Sequence, residues 1–417
     1  MSFTYKETEL FAEQCAVTEL AKTHGTPLFV YSKAAITANW QQFSQHWPAP
    51  HKLCYAVKAN SNLAVLNVLA RLGAGFDIVS GGELARVLAA GGKAEDVVFS
   101  GVGKSHEEIA YALDQNIGCF NVESSAELER IQHIASEKGV VAPISLRVNP
   151  DVDAQTHPYI ATGLKANKFG IAMGEALDVF RRGQALENLD MRGVDCHIGS
   201  QILTPQPFLD AADRMFNLIG TLREEGIQIT HLDMGGGFGI PYQHEEKLEV
   251  SGYLQELQRR AKEIGNLTLM LEPGRAIVGN AGIMVTKVEY YKPGSEKNFL
   301  LVDAGMNDLL RPSLYNAYHD IVPVQRHQGV DEPLVDVVGP VCETGDFFGH
   351  ARHLAAQEGD LLAVMNAGAY GFTMASNYNT RPRAAEVMVH GETASLIRER
   401  EPLASLWQGE HVLGDDA

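Results

Sequence analysis

Four segments put reactive or ligand-binding residue types at the ends of apolar runs. In CYAVKANSN, Lys58 closes a strand-like stretch between the small residues Ala56 and Ala59. Partial loss of water there would lower the pKa of its ammonium and make it a Schiff-base former; a solvated strand-end lysine is the plain alternative. In DMGGGFG (233–239), Gly235, Gly236 and Gly237 leave backbone N–H groups unobstructed, as a phosphate cradle needs. No GK[ST] or G-x-G-x-x-G pattern accompanies them, so a tight strand-to-helix turn also accounts for them. In HIGSQ (197–201), His197 could stack on a ligand and Ser200 could reach a phosphate, or the histidine could be structural. In LEPGR (271–275), Glu272 ends an apolar strand, a costly place for a carboxylate without a cation or proton nearby. Arg275 follows a Pro-Gly turn, and a structural Glu–Arg pair is the alternative.

Together, a lysine, a glycine nest, a carboxylate and an arginine at the ends of different strands describe a cofactor site. They match the needs of pyridoxal 5′-phosphate (PLP): an amine for its aldehyde, a cradle for its phosphate and an acid for its ring nitrogen.

The elements that must carry these residues alternate. Strand-like runs occur at 53–59, 76–80, 97–100, 118–122, 144–148, 193–198, 230–234 and 268–273. Amphipathic stretches such as 62–72, 83–91, 106–116 and 125–139 lie between them, and Leu128, Ile131 and Ile134 share one face. Ser-x-x-Glu at Ser105–Glu108 and Ser124–Glu127 predicts capping boxes. Eight strands alternating with helices fit a (β/α)8 barrel, with an open doubly wound sheet as the alternative. PLFVYS (27–32) is a ninth strand that this count does not absorb. Beyond about residue 276, β-rich runs at 281–292, 299–305, 334–341, 360–370 and 385–391 predict a separate, mostly antiparallel β domain. The end of the chain reads as a frayed acidic tail.

Composition narrows the function classes. The 417 residues carry a net charge of −18 without a basic run, which excludes a nucleic-acid partner. No apolar run approaches the length of a membrane span, and no signal-peptide core opens the chain. Five scattered cysteines without a C-x-x-C pair fit a reducing, cytoplasmic setting. The 40 glycines cluster, marking tight turns or close approach of backbone to a ligand.

CYAVKAN, HIGSQ, MGGGFG, LEPGR, RPSLYNAYH, CETGD and NAGAYG stand in the order and approximate spacing of the fold-type III PLP-dependent decarboxylases. Within that group the chain resembles the diaminopimelate decarboxylase family, over residues 25 to 400. The resemblance implies an alanine-racemase-like (β/α)8 TIM barrel over 33–275. A β-sandwich-like domain would be built from 1–32 and 276–417, with PLFVYS joining it. Lys58 would carry PLP as a Schiff base and His197 would pack on its ring. Glu272 would face the pyridine nitrogen. Gly235, Gly236, Gly237, Ser200 and Tyr370 would surround the phosphate, with Arg275 near phosphate and substrate. Asp77 and Arg147 match positions near the cofactor.

The same resemblance implies a homodimer with shared sites, to which the partner lends Cys342 and Glu343. Cys342 is the first candidate for returning a proton to Cα, with Lys58 second. The expected substrate is meso-2,6-diaminopimelate, decarboxylated at its D centre to L-lysine. Arg311, Tyr315 and Arg275 would bind its distal carboxylate and Glu343 its distal amine, with Tyr370 also lining the substrate. Ornithine or arginine would set a cation against Arg311. An ornithine- or arginine-type decarboxylase, an amino-acid racemase and a non-catalytic PLP-binding protein are the competing readings. Residues 157–170 would form a loop at the active-site mouth, while His319 and Lys168 are expected to be surface or structural.

Overall fold

The structure, a computed structural model, describes residues 2–153, 168–265, 267–327 and 331–414. The chain divides into two compact units, Ile36–Gly279 and Met1–Ala35 with Asn280–Ala417.

Among the described residues of the first unit, eight parallel strands close into a barrel. They are β1 (Lys52–Ala56), β2 (Gly75–Ile78), β3 (Val97–Phe99), β4 (Cys119–Val122), β5 (Ala142–Asn149), β6 (Leu189–Asp195), β7 (His231–Asp233) and β8 (Thr268–Leu271). Closure is made by β8 on β1, with Met270 opposite Lys52. Between β4 and β5, Phe120 lies opposite Ile144. The strands are short and almost wholly buried, as parallel strands covered on both faces must be. Phe76, Phe99 and Phe120 are fully enclosed, and the last two rings stack at 6.0 Å.

Three of the helices between strands, Gly81–Ala89, His106–Asp114 and Ser125–Lys138, are amphipathic and start on serine caps. Ser105 and Glu108 form the reciprocal capping box. At Ser124 only half of the expected box is present. The Ser124 hydroxyl takes the Glu127 amide, but the Glu127 carboxylate bonds the amide of Glu123, one residue further back. Ser80 and Glu83 repeat this variant, with Glu83 reaching Val79. Most of the expected 157–170 loop lies outside the described residues; at its end Lys168 is exposed.

In the second unit, strand Leu28–Ser32 pairs antiparallel with Gly282–Lys292 and parallel with Ala385–His390. The ninth strand of the sequence is therefore a central strand of this sheet. It is buried on both faces and alternates between two cores. Phe29 and Tyr31 enter a core with Met284, Val302 and Val364. Leu28 and Val30 enter another with Ile283, Val285 and Val387. The sheet is largely antiparallel, with a second parallel pairing between Asn298–Val302 and Leu334–Val338. No helix among the described residues is long and apolar enough to cross a membrane.

Candidate active site

The chemistry-bearing residues of the barrel gather where its strands end. Lys58 sits in the single 3-10 turn Val57–Ala59 that follows β1. Its Nζ is 2.7 Å from Oδ2 of Asp77 on β2, and the side chain keeps about a third of its surface exposed. The lysine is thus held by a charge partner at the end of β1. Asp77 is fully buried, and its Oδ1 has no hydrogen-bond partner.

Glu272 follows β8 and is 5% exposed. Asn121 Nδ2 donates to it at 3.4 Å. Asp195 at the end of β6 and Asp233 at the end of β7 each bring a carboxylate oxygen within 4.8 Å of the other two acids. Burial first, and then mutual repulsion, pushes Glu272 and Asp195 well above the ordinary carboxylate range. Burial likewise raises Asp233 to about 6, against the opposing bond from the Gly235 amide. Sequence reasoning missed Asp195 and Asp233. The signal was the one used for Glu272, an acid ending an apolar strand.

His197 follows β6 and is half-buried. Its Nδ1 accepts from the Gly236 amide at 3.2 Å, which leaves the ring proton on Nε2. Burial, and then the charges of Arg147 and Lys58, hold its pKa well below the usual value, so the ring is neutral.

The glycine triplet packs more tightly than an open nest. A Cβ on Gly236 would lie 2.1 Å from the Glu272 carbonyl oxygen, and one on Gly237 2.3 Å from that of Gly199. The Gly235 amide donates to Asp233 Oδ1 at 2.9 Å, so two of the three amides already serve the protein. No hydrogen bond from the Gly237 amide occurs among the described residues. Arg275 Nη2 donates to Ser200 Oγ, and Nη1 to the Tyr242 hydroxyl, each at 2.9 Å. Tyr242 is a further residue that the motifs did not announce. Arg147 on β5 contacts Glu123 at 2.8 Å and lies 3.9 Å from Asp195.

These groups fit PLP. Asp77 Oδ1, Asn121 Oδ1, Asp195 Oδ1 and Asp233 Oδ2 are buried without hydrogen-bond partners. Such a cluster calls for a cation or proton donor, as a protonated pyridine ring provides. Ser200, Arg275 and the Gly237 amide suit a phosphate.

The remaining expected residues lie in the second unit. Arg311 opens the helix Arg311–Tyr315 and is 6% exposed. Its Nη1 donates to His319 Nε2 at 2.8 Å, while His319 Nδ1 donates to the Met365 carbonyl at 2.8 Å. His319 is therefore buried and orients Arg311, a more specific role than a surface or generic structural one. Ser313 Oγ donates to the Gly345 carbonyl at 2.6 Å and ties this helix to the CETGD loop. Asp346 organises that loop by accepting from the Val341 and Met306 amides. Cys342 and Glu343 are exposed on it, and Tyr315 and Tyr370 are half-buried.

The fold and site define a PLP-dependent decarboxylase of the barrel type. The family model described as "Pyridoxal-dependent decarboxylase, pyridoxal binding domain" matches residues 33–279. The diaminopimelate decarboxylase of Vibrio cholerae is 57% identical over 413 residues, which cover 99% of either chain. A crystal structure of the Helicobacter pylori diaminopimelate decarboxylase complexed with L-lysine is similar at TM-score 0.90 and 43% identity, covering 94% of this chain and 98% of that one. The M. jannaschii diaminopimelate decarboxylase, also in complex with L-lysine, matches at TM-score 0.93 and 36% identity, over 99% and 98%. The chain belongs to the diaminopimelate decarboxylase family, and it is a PLP-dependent carboxy-lyase.

Proposed function

We propose that this chain removes CO2 from the D centre of meso-2,6-diaminopimelate and releases L-lysine, the last step of lysine biosynthesis. The observation that carries this reading is the near-complete coverage at 57% identity to a diaminopimelate decarboxylase. When bound, PLP supplies an electron sink for the pair left behind as CO2 departs.

The protein's residues do the rest. Lys58 would hold the cofactor through its amine, at the position the substrate amine would take in turn. Glu272 would hold the protonated ring nitrogen, whose positive charge would offset the burial and repulsion that otherwise keep its carboxyl well above the ordinary range. His197, being neutral, covers the ring face without adding charge. Arg275, Ser200, the Gly235–Gly237 backbone and Tyr370 hold the phosphate. Arg311 and Tyr315, with Arg275, bind the distal carboxylate; a guanidinium held at Nη1 by His319 presents its charge in a defined direction. Glu343 takes the distal amine. The proton that replaces CO2 on Cα comes from Cys342 Sγ, with Lys58 Nζ as second donor.

Cys342 and Glu343 act across a homodimer in which each site is completed by the partner. The second unit supplies these substrate and dimer contacts. A cytoplasmic location suits five free cysteines.

The test is incubation with PLP and meso-diaminopimelate, with CO2 and L-lysine assayed. Lys58→Ala should abolish both products. CO2 from ornithine or arginine alone would refute the substrate. A borohydride-trapped adduct on a lysine other than Lys58 would refute the anchor.

A further inference from the structure

Glu123 stands one residue beyond β4 and is 5% exposed. Its two carboxylate oxygens serve different strands. Oε1 accepts from Arg147 Nη1 at 2.8 Å and from the Gly101 amide at 3.2 Å. Oε2 accepts from the Gly170 amide at 2.8 Å. One buried carboxylate therefore joins the chain after β3, the side chain of β5 and the start of the segment leading to strand Ile171–Ala172. Gly170 has φ +72°, and a Cβ there would come within 3.2 Å of the backbone of Arg147 and Asn149.

Glu123 is itself braced. Its N–H donates to Glu127 Oε2 at 2.8 Å, which is why the Ser124 box is incomplete. Glu127 Oε1 pairs with the buried Lys104 Nζ at 2.6 Å, and that ammonium also donates to the carbonyls of Gly101 and Asn121. A braced carboxylate costs little reorganisation to hold a cation in one place.

The cation it holds is Arg147, whose guanidinium lies over the Phe169 ring at 4.9 Å. The Nε edge of Arg147 stops 3.9 Å from Asp195, inside the cluster that contains Glu272. A guanidinium released from Glu123 would find these carboxylates as its nearest alternative partners, and a bidentate pair there is stronger than the present long contact.

We propose that Glu123 is a positioning residue for the cofactor: by fixing Arg147 at the rim of the acid cluster, it keeps Glu272 available to the ring nitrogen of PLP. This rests on the PLP reading of the site.

The test uses Glu123→Gln, which keeps the shape but leaves one acceptor oxygen, so it cannot hold both Arg147 and Gly170. In the apoprotein, hydrogen–deuterium exchange at the Gly170 amide or PLP affinity, whichever loses its acceptor, should change about tenfold. Replacing Glu123 by Ala should change both. In an Arg147→Met background, Glu123→Gln should alter the PLP dissociation constant by no more than about twofold, because its effect passes through Arg147. PLP binding weakened to the same extent in both backgrounds would overturn the proposal, as would unchanged exchange and affinity in Glu123→Ala. Should the variants not fold, exchange in the native chain decides: Gly170 must be protected like β5, and open-loop exchange there sinks the idea. The exchange measurement needs no cofactor, so its failure is distinct from failure of PLP binding.

Discussion

At the scale of single residues, the acid cluster has a signed pH consequence. The Asp233 carboxyl is raised to about 6 in the folded chain, from about 3.9 when unfolded. Its contribution to stability is fully present below about pH 4 and is lost as pH rises through about 6. Buried His231 works oppositely: its folded value of about 4 gives stability that is present above about 6.5 and lost as pH falls through about 4. Asp233→Asn removes the first effect alone. Relative to the native apoprotein, this variant should gain up to roughly 3 kcal/mol between about pH 4 and pH 7, read by urea denaturation. His319→Ala leaves Arg311 Nη1 without that acceptor, so KM for diaminopimelate should rise about tenfold with a smaller change in kcat. Lys58 and Glu272 were legible in the sequence because each is a charged residue ending an apolar run. His319 was not, since its contact with Arg311 depends on a turn through Asn316 in the left-handed region. Nor was the meeting of Asp195, Asp233 and Glu272, which lie at the ends of three different strands.

At the scale of elements, the ends of β7 and β8 are held together by absence of side chains. Gly236→Ala would drive a Cβ into the Glu272 carbonyl, where rigid backbone cannot give way. Stability should fall by about 2 kcal/mol or more, and PLP affinity should drop with it, because Glu272 moves with its carbonyl. Gly220 makes the contrast. It lies within helix Gln206–Glu224, and a Cβ there meets nothing within 4 Å. Gly220→Ala should raise stability by about 0.5–1 kcal/mol in the same denaturation assay. Alternation of apolar runs with amphipathic stretches was enough to read the barrel, because parallel strands are buried on both faces and helices on one. The half-box at Ser124 was not readable. A Ser-x-x-Glu spacing is the same whether the glutamate bonds the cap residue or the one before it.

At the scale of the whole molecule, a site completed across a dimer has a test that a self-contained site would fail. Lys58→Ala chains, inactive alone, and Cys342→Ala chains, slowed alone, should exceed either parent and reach up to about one quarter of native activity when unfolded together and refolded in equal amounts. Half of the random dimers are then mixed, and each mixed dimer has one intact site. The placement of strand Leu28–Ser32 has a different consequence, in the order of synthesis. Both of its partner strands follow the entire barrel in the chain. As the protein leaves the ribosome, the barrel has all its strands before that early apolar strand has either neighbour. Both edges of a strand made for two hydrophobic faces stay open until residue 292 emerges, and one stays open until residue 390 does. Newly made chains are therefore most exposed to aggregation at their N-terminal segment, and anything that slows translation beyond the barrel prolongs that exposure.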